Sequence, residues 1–126
     1  MTPFAKCLRA GLAAGLLTAS LAEPASATDS DKWPVAGRQG IIQFVIVPTD
    51  QARDREAYAK QVEELCEPNL TCFINFYTNT AGAPLAVPLP DAIDKEPAAI
   101  FRRSTKQGAE LFRWSCRMAT GDGDCF

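Results

Sequence analysis

The residues best equipped for chemistry in this chain are its cysteines, Cys7, Cys66, Cys72, Cys116 and Cys125. Thiols ligate zinc, exchange disulfides or close structural bridges, and spacing separates the three roles. Structural zinc sites place paired ligands two to four residues apart and commonly add histidine. Here five residues stand between Cys66 and Cys72, and the sequence contains no histidine. A thiol oxidoreductase wants two residues between its cysteines, which neither close pair provides. Structural bridges remain, because four cysteines in an exported chain of this size read as two disulfides. Pairing Cys66 with Cys72 and Cys116 with Cys125 closes two short loops, each holding a chain breaker: Pro68 in the first, Gly121 and Gly123 in the second. Cys72 with Cys116, across neighbouring strands, is the alternative that the sequence leaves open. No cofactor and no metal is expected.

Other chemistry has less to stand on. Without histidine the Ser-His-Asp and Cys-His arrangements are excluded and the commonest general base is missing. The chain has no nucleophile elbow, P-loop or dinucleotide fingerprint. Two carboxylate pairs, Asp91 with Asp94 and Glu63 with Glu64, have the residue types of a general acid and base. The first also fits a helix start and the second an exposed helix face, so a small carboxylate-based hydrolase is the alternative reading of function, not the leading one. Asp122 and Asp124 in "GDGDC" lack the later glutamate of a calcium loop, and that stretch reads as a flexible tail. Asn69-Leu70-Thr71 matches a glycosylation acceptor.

Cations gather in one place. Residues 102–117 carry Arg102, Arg103, Lys106, Arg113 and Arg117 against a single carboxylate, Glu110, interleaved with aromatic residues in "FRRSTKQGAELFRWSC". Taking residues 105–108 as a turn, period-two alternation puts Phe101, Arg103, Glu110, Phe112, Trp114 and Cys116 on one face of a hairpin and Ile100, Arg102, Leu111, Arg113 and Ser115 on the other. Arg103 then opposes Glu110 as a cross-strand pair. Nucleic-acid binding needs cations and exposed aromatics on the same face; here the aromatics share the core face, and nucleic acid is not the expected partner. Arg102, Arg113 and Arg117 are the candidate surface for an acidic protein or an anionic envelope component. The proline-rich strap in residues 80–92, "TAGAPLAVPLPDA", adds Leu85, Val87 and Leu89 as a candidate apolar contact.

The elements that must position these residues begin after a processing signal. Lys6 and Arg9, the uncharged apolar run of residues 10–22 and Ala25-Ser26-Ala27 have the three parts of a secretory signal peptide, so cleavage is expected after Ala27, discarding Cys7. The mature chain would have 99 of the 126 residues, with 11 Lys and Arg against 14 Asp and Glu, a net charge of −3 that gives it no overall attraction for polyanions. No transmembrane helix is expected after cleavage, and the compartment is the periplasm or the exterior.

Residues 28–40 are polar and broken by Pro34, Gly37 and Gly40, and read as a flexible lead-in that Trp33 docks onto the body. Residues 41–126 read as one small domain. "IIQFVIVP" is a buried strand. Residues 50–66 hold Tyr58, Val62 and Leu65 at helical spacing, capped by Thr49 or Asp50. "TCFINFYTN" is a second strand, joined to the first by a parallel crossover. The strap lies extended because prolines deny it a helix or a central strand, Asp91 caps a short turn of helix that Pro97 ends, and the hairpin closes the fold. The expected class is α+β: a four-stranded mixed sheet with one main amphipathic helix on one face, stapled by disulfides. The expected function is that of an exported binding or interaction domain of the bacterial cell envelope, a class that includes inhibitors and immunity proteins.

Overall fold

The computed structural model describes Gly15 and residues 31–126; apart from Gly15, the expected export signal lies outside the described residues. Among the described residues no helix is long and apolar enough to cross a membrane. Five strands, β1 (Val35–Gln39), β2 (Ile42–Ile46), β3 (Cys72–Tyr77), β4 (Pro97–Ser104) and β5 (Ala109–Trp114), form one sheet whose spatial order follows chain order. Helix α1 (Arg55–Leu65) connects β2 to β3, and α2 (Asp91–Asp94) precedes β4. The class is α+β with a mixed sheet, as the alternation patterns imply, but the strand count is five and not four.

The extra strand comes from the stretch read as a lead-in. β1 pairs antiparallel with β2, with an irregularity between Val35 and Gly37. β2 and β3 are parallel, in the crossover expected for two strands separated by a helix, and β3, β4 and β5 follow as antiparallel neighbours. The hairpin register is the one that alternation dictates, with Arg103 opposite Glu110 and Phe101 opposite Phe112.

α1 starts one turn later than the apolar spacing implies. Thr49–Gln51 forms a separate short helical turn, and Asp54 is the N-cap: its Oδ1 accepts from the backbone N–H of Glu56 at 3.2 Å and of Ala57 at 3.3 Å. A carboxylate at that position both satisfies two orphan donors and faces the positive end of the helix dipole. α2 likewise begins with Asp91 inside its first turn, and its N-cap, Pro90, makes no side-chain capping bond.

Tyr58 is the centre of the helix-side core. It is fully buried, and its ring meets Trp33, Phe76, Phe112 and Trp114 edge to face at centroid distances of 4.9, 4.9, 5.5 and 5.1 Å, the arrangement that aromatic quadrupoles favour. Its hydroxyl donates to the Ala52 carbonyl at 2.8 Å, and burial holds the phenol well above its ordinary pKa. Trp33 docks here as expected: its backbone N–H donates to Gln61 Oε1 at 2.9 Å and its indole N–H to Gln51 Oε1 at 3.2 Å.

Both short-loop disulfides are formed, Cys66–Cys72 and Cys116–Cys125. The first fastens the end of α1 to the start of β3. The second folds the C-terminal segment back on the sheet, where Phe126 N–H donates to the Trp114 carbonyl at 3.0 Å and Cys116 N–H to the Phe126 carbonyl at 2.9 Å. The stretch read as a flexible tail is therefore tied down at both its bridge and its last residue.

Candidate functional site: the sheet face opposite the helix

β3 alternates strictly between buried and half-buried positions. Cys72, Ile74 and Phe76 point toward α1, while Phe73, Asn75 and Tyr77 occupy the other face. Carrying that face across the sheet by register gives Ile42, Phe73, Arg102 and Leu111 in one row, and Phe44, Asn75, Ile100 and Arg113 in the next.

Half of this face is covered. Phe44 and Ile46 are buried although α1 lies on the opposite side. The strap accounts for this: Val87 packs against Gly37, the register partner of Phe44, and Leu85 lines a cleft with Ile46. Ile93 of α2 is fully buried outside the helix-side cluster. Asn79 anchors the beginning of the strap, its amide donating to the Ala83 carbonyl at 2.9 Å while its Oδ1 accepts from Ala83 N–H at 3.0 Å.

The other half, over β3, β4 and β5, is open. Ile42, Phe73, Asn75, Ile100, Arg102 and Arg113 are half-buried, and Leu111 retains 43% of its surface. Arg102 lies with its guanidinium carbon 5.1 Å from the centroid of the Phe73 ring. Its Nη1 donates to the carbonyls of Ile74 at 3.0 Å and Phe101 at 2.9 Å, and its Nη2 donates to Asn75 Oδ1 at 2.7 Å. Partial burial lowers its pKa, with Tyr77 acting in the opposite sense, but an arginine starts so far above neutrality that the charge persists. Among the described residues Arg102 forms no ion pair. Its positive charge is fixed in place and uncompensated.

Arg113 is on the same face but is partly committed. Its Nε donates to the Asp124 carbonyl at 3.1 Å and its Nη2 to the Cys125 carbonyl at 3.2 Å, and it pairs with the Asp124 carboxylate at 3.5 Å. A pair this long and this exposed contributes little to stability. Arg117 stands elsewhere, at one end of the sheet, where its Nε donates to the Pro97 carbonyl at 3.0 Å and its Nη2 to Thr78 Oγ1 and the Glu96 carbonyl, each at 3.1 Å. The structure thus brings Arg102, Arg113 and the strap residues Leu85 and Val87 onto one side of the sheet, and Arg117 onto its end; Leu89 is half-buried in the strap.

The aromatics of the hairpin and of neighbouring β3 are not free to stack on bases. Phe73 carries Arg102, Phe101 carries Arg103 at 5.4 Å and Phe112 carries Arg55 at 3.7 Å, while Trp114 is buried. Arg103 also pairs with Glu110 at 3.7 Å. Asp91 and Asp94 are exposed on a single turn of helix.

The sequence singles out the arginines and the strap but not Ile42, Phe73 or Asn75 as their neighbours. The alternation in each strand is visible, whereas the parallel β2–β3 register that aligns the strands is a tertiary outcome. Comparison with family models finds no match, and comparisons with curated proteins and with solved structures find none either.

Proposed function

We propose that this chain is an exported, disulfide-stapled binding domain whose partner is an acidic protein, docked on the open sheet face over β3 to β5 and bordered by the strap. The observation that carries the reading is the uncompensated Arg102 guanidinium held rigid among Ile42, Phe73, Ile100 and Leu111. An apolar patch around a pre-organised arginine is the composition of a protein-interface hot spot. An acidic side chain complements it, since carboxylates bind guanidinium by charge-assisted hydrogen bonds. A nucleic-acid partner is disfavoured by the arginine caps on the aromatic rings. Two closed disulfides fit folding in an oxidising compartment, which accords with export.

The test is capture from envelope extract by the oxidised protein, with an Arg113→Glu plus Leu111→Glu variant beside it. The reading expects a stoichiometric acidic protein that the variant fails to retain and that elutes at raised salt. A partner retained equally by the variant would remove the open face from the proposal. We assign no hydrolytic role to Asp91 and Asp94.

A further inference from the structure

β2 and β3 run parallel, and at their carboxyl ends the chain departs to opposite faces: from β2 to α1 on one side, from β3 to the strap on the other. Neighbouring parallel strands whose connections diverge in this way leave a crevice beyond their carboxyl ends, the place where open sheets of this kind bind ligands. The crevice is present here. It encloses about 330 Å³, at the lower end of the range for small-molecule sites, and its walls come from three separate segments. Thr49, Asp50 and Arg53 follow β2, Thr78 and Thr80 follow β3, and Arg117 comes from the turn after β5.

The polar groups lining it are built and not merely exposed. Arg53 donates its Nε to the Met118 carbonyl at 2.9 Å, and Arg117 donates its Nε to the Pro97 carbonyl at 3.0 Å. Each guanidinium is therefore oriented by a backbone contact, and among the described residues neither makes an ion pair. Thr78 and Thr80 spend their hydroxyl protons on the Glu96 carboxylate, and Thr80 N–H adds a third bond at 3.0 Å. That carboxylate is satisfied from within the fold. Thr49 keeps its hydroxyl, and Asp50 is the one carboxylate among the cleft residues themselves.

We propose that this cleft binds a small oxyanion, carboxylate or phosphate, between Arg53 and Arg117, with Thr49 donating a hydroxyl hydrogen bond and Asp50 accepting one from a hydroxyl or amino group on the same ligand. Arg53, held only through its Nε, offers its two Nη groups as a fork for the equivalent oxygens that both anions share, while Arg117, whose Nε and Nη2 are held by Pro97, Thr78 and Glu96, adds Nη1 and its charge. Asp50 selects for ligands with a donor beside the charge. The site is separate from the open sheet face and stands or falls without it.

The full-length oxidised protein is titrated with lactate, with inorganic phosphate and with sodium chloride at matched ionic strength, following the amide resonances of Thr49 and Arg53 and the Arg53 side-chain N–H. The expected result is a saturable shift with lactate, phosphate or both that chloride does not reproduce, weakened at least tenfold in Arg53→Gln. Saturation by lactate alone names a carboxylate ligand, and by phosphate alone a phosphate. Asp50→Ala, which removes the acceptor, should lower the preference for lactate over phosphate. Unchanged resonances in Tyr58 and Phe76 certify that Arg53→Gln is folded; if it is not, Arg53→Lys and Thr49→Ala supply the same comparison. Shifts no larger than those with chloride, or equal affinity in the folded variants, would overturn the site.

Discussion

A methyl group on Gly37 would stand 3.1 Å from Val87 Cβ and closer still to its Cγ2, so β1 and the strap touch at a point that admits only glycine. This contact sets how closely the strap lies on the sheet. Gly37→Ala should destabilise the protein by about 1–3 kcal/mol, the usual cost of forcing extra volume into a packed contact, in urea unfolding followed by tryptophan fluorescence. Val87→Ala in the same chain should recover only the part of the loss that comes from the Cγ2 contact, because a side chain at the Gly37 φ of +157° stays strained whatever the space. If the second substitution adds to the first instead, the two residues are not coupled.

The closing of the strap carries a pH dependence. Glu96 accepts from Thr78 and Thr80, the segment at the strap's start, and Thr78 N–H donates to the Glu96 carbonyl at 3.0 Å. These bonds, the Thr80 hydroxyl and N–H first among them and the Arg117 charge last, hold the Glu96 carboxyl below its ordinary pKa. A depressed carboxyl stabilises the folded state fully above its unfolded pKa, and the contribution disappears as pH falls through the folded value. Glu96→Gln should remove that part of the acid sensitivity and lower stability at neutral pH, with hydrogen exchange of the Thr80 amide rising first. An acid profile identical to wild type would show that the clamp contributes nothing.

The aromatic core predicts a measurable cost for one oxygen. Tyr58→Phe keeps every ring contact but leaves the buried Ala52 carbonyl without its 2.8 Å donor, and should destabilise by about 1–3 kcal/mol in urea unfolding. A neutral substitution would mean that water replaces the hydroxyl.

The two bridges should differ in what their removal releases. Each closes a short loop and is expected to contribute about 2–3 kcal/mol through the unfolded chain. Replacing Cys116 and Cys125 with serine should in addition free the Arg113 contacts to Asp124 and Cys125, raising exchange at Phe126 and Cys116. Replacing Cys66 and Cys72 should leave those amides protected. Equal exchange in both variants would show that the C-terminal segment is held without its bridge.

Much of this architecture is legible in residue patterns, and the exceptions have physical causes. The hairpin reads correctly because both its strands alternate and because Arg103 and Glu110 are complementary across it. β3 reads correctly for the same reason. β1 is missed because "VAGRQ" offers one large apolar residue and a glycine; its pairing is backbone hydrogen bonding on an edge, which leaves no side-chain signature. The start of α1 is misplaced because Thr49, Asp50 and Asp54 are all competent caps, and only the geometry of the turn at Thr49–Gln51 selects Asp54. The crevice beyond β2 and β3 is invisible in sequence, since Arg53 and Arg117 meet only through the crossover that places their segments at one end of the sheet.

The central claim is that the open face over β3 to β5 is the docking surface for an acidic protein. Its most direct test is the affinity of the captured partner for three forms of the oxidised chain: wild type, Arg113→Glu plus Leu111→Glu on the open face, and Lys60→Glu on the exposed side of α1. The account predicts at least a tenfold loss for the open-face variant, in line with truncating interface anchors, and near-wild-type affinity for Lys60→Glu. Equal losses in both, or a loss only in Lys60→Glu, would contradict it and move the interface to the helix side.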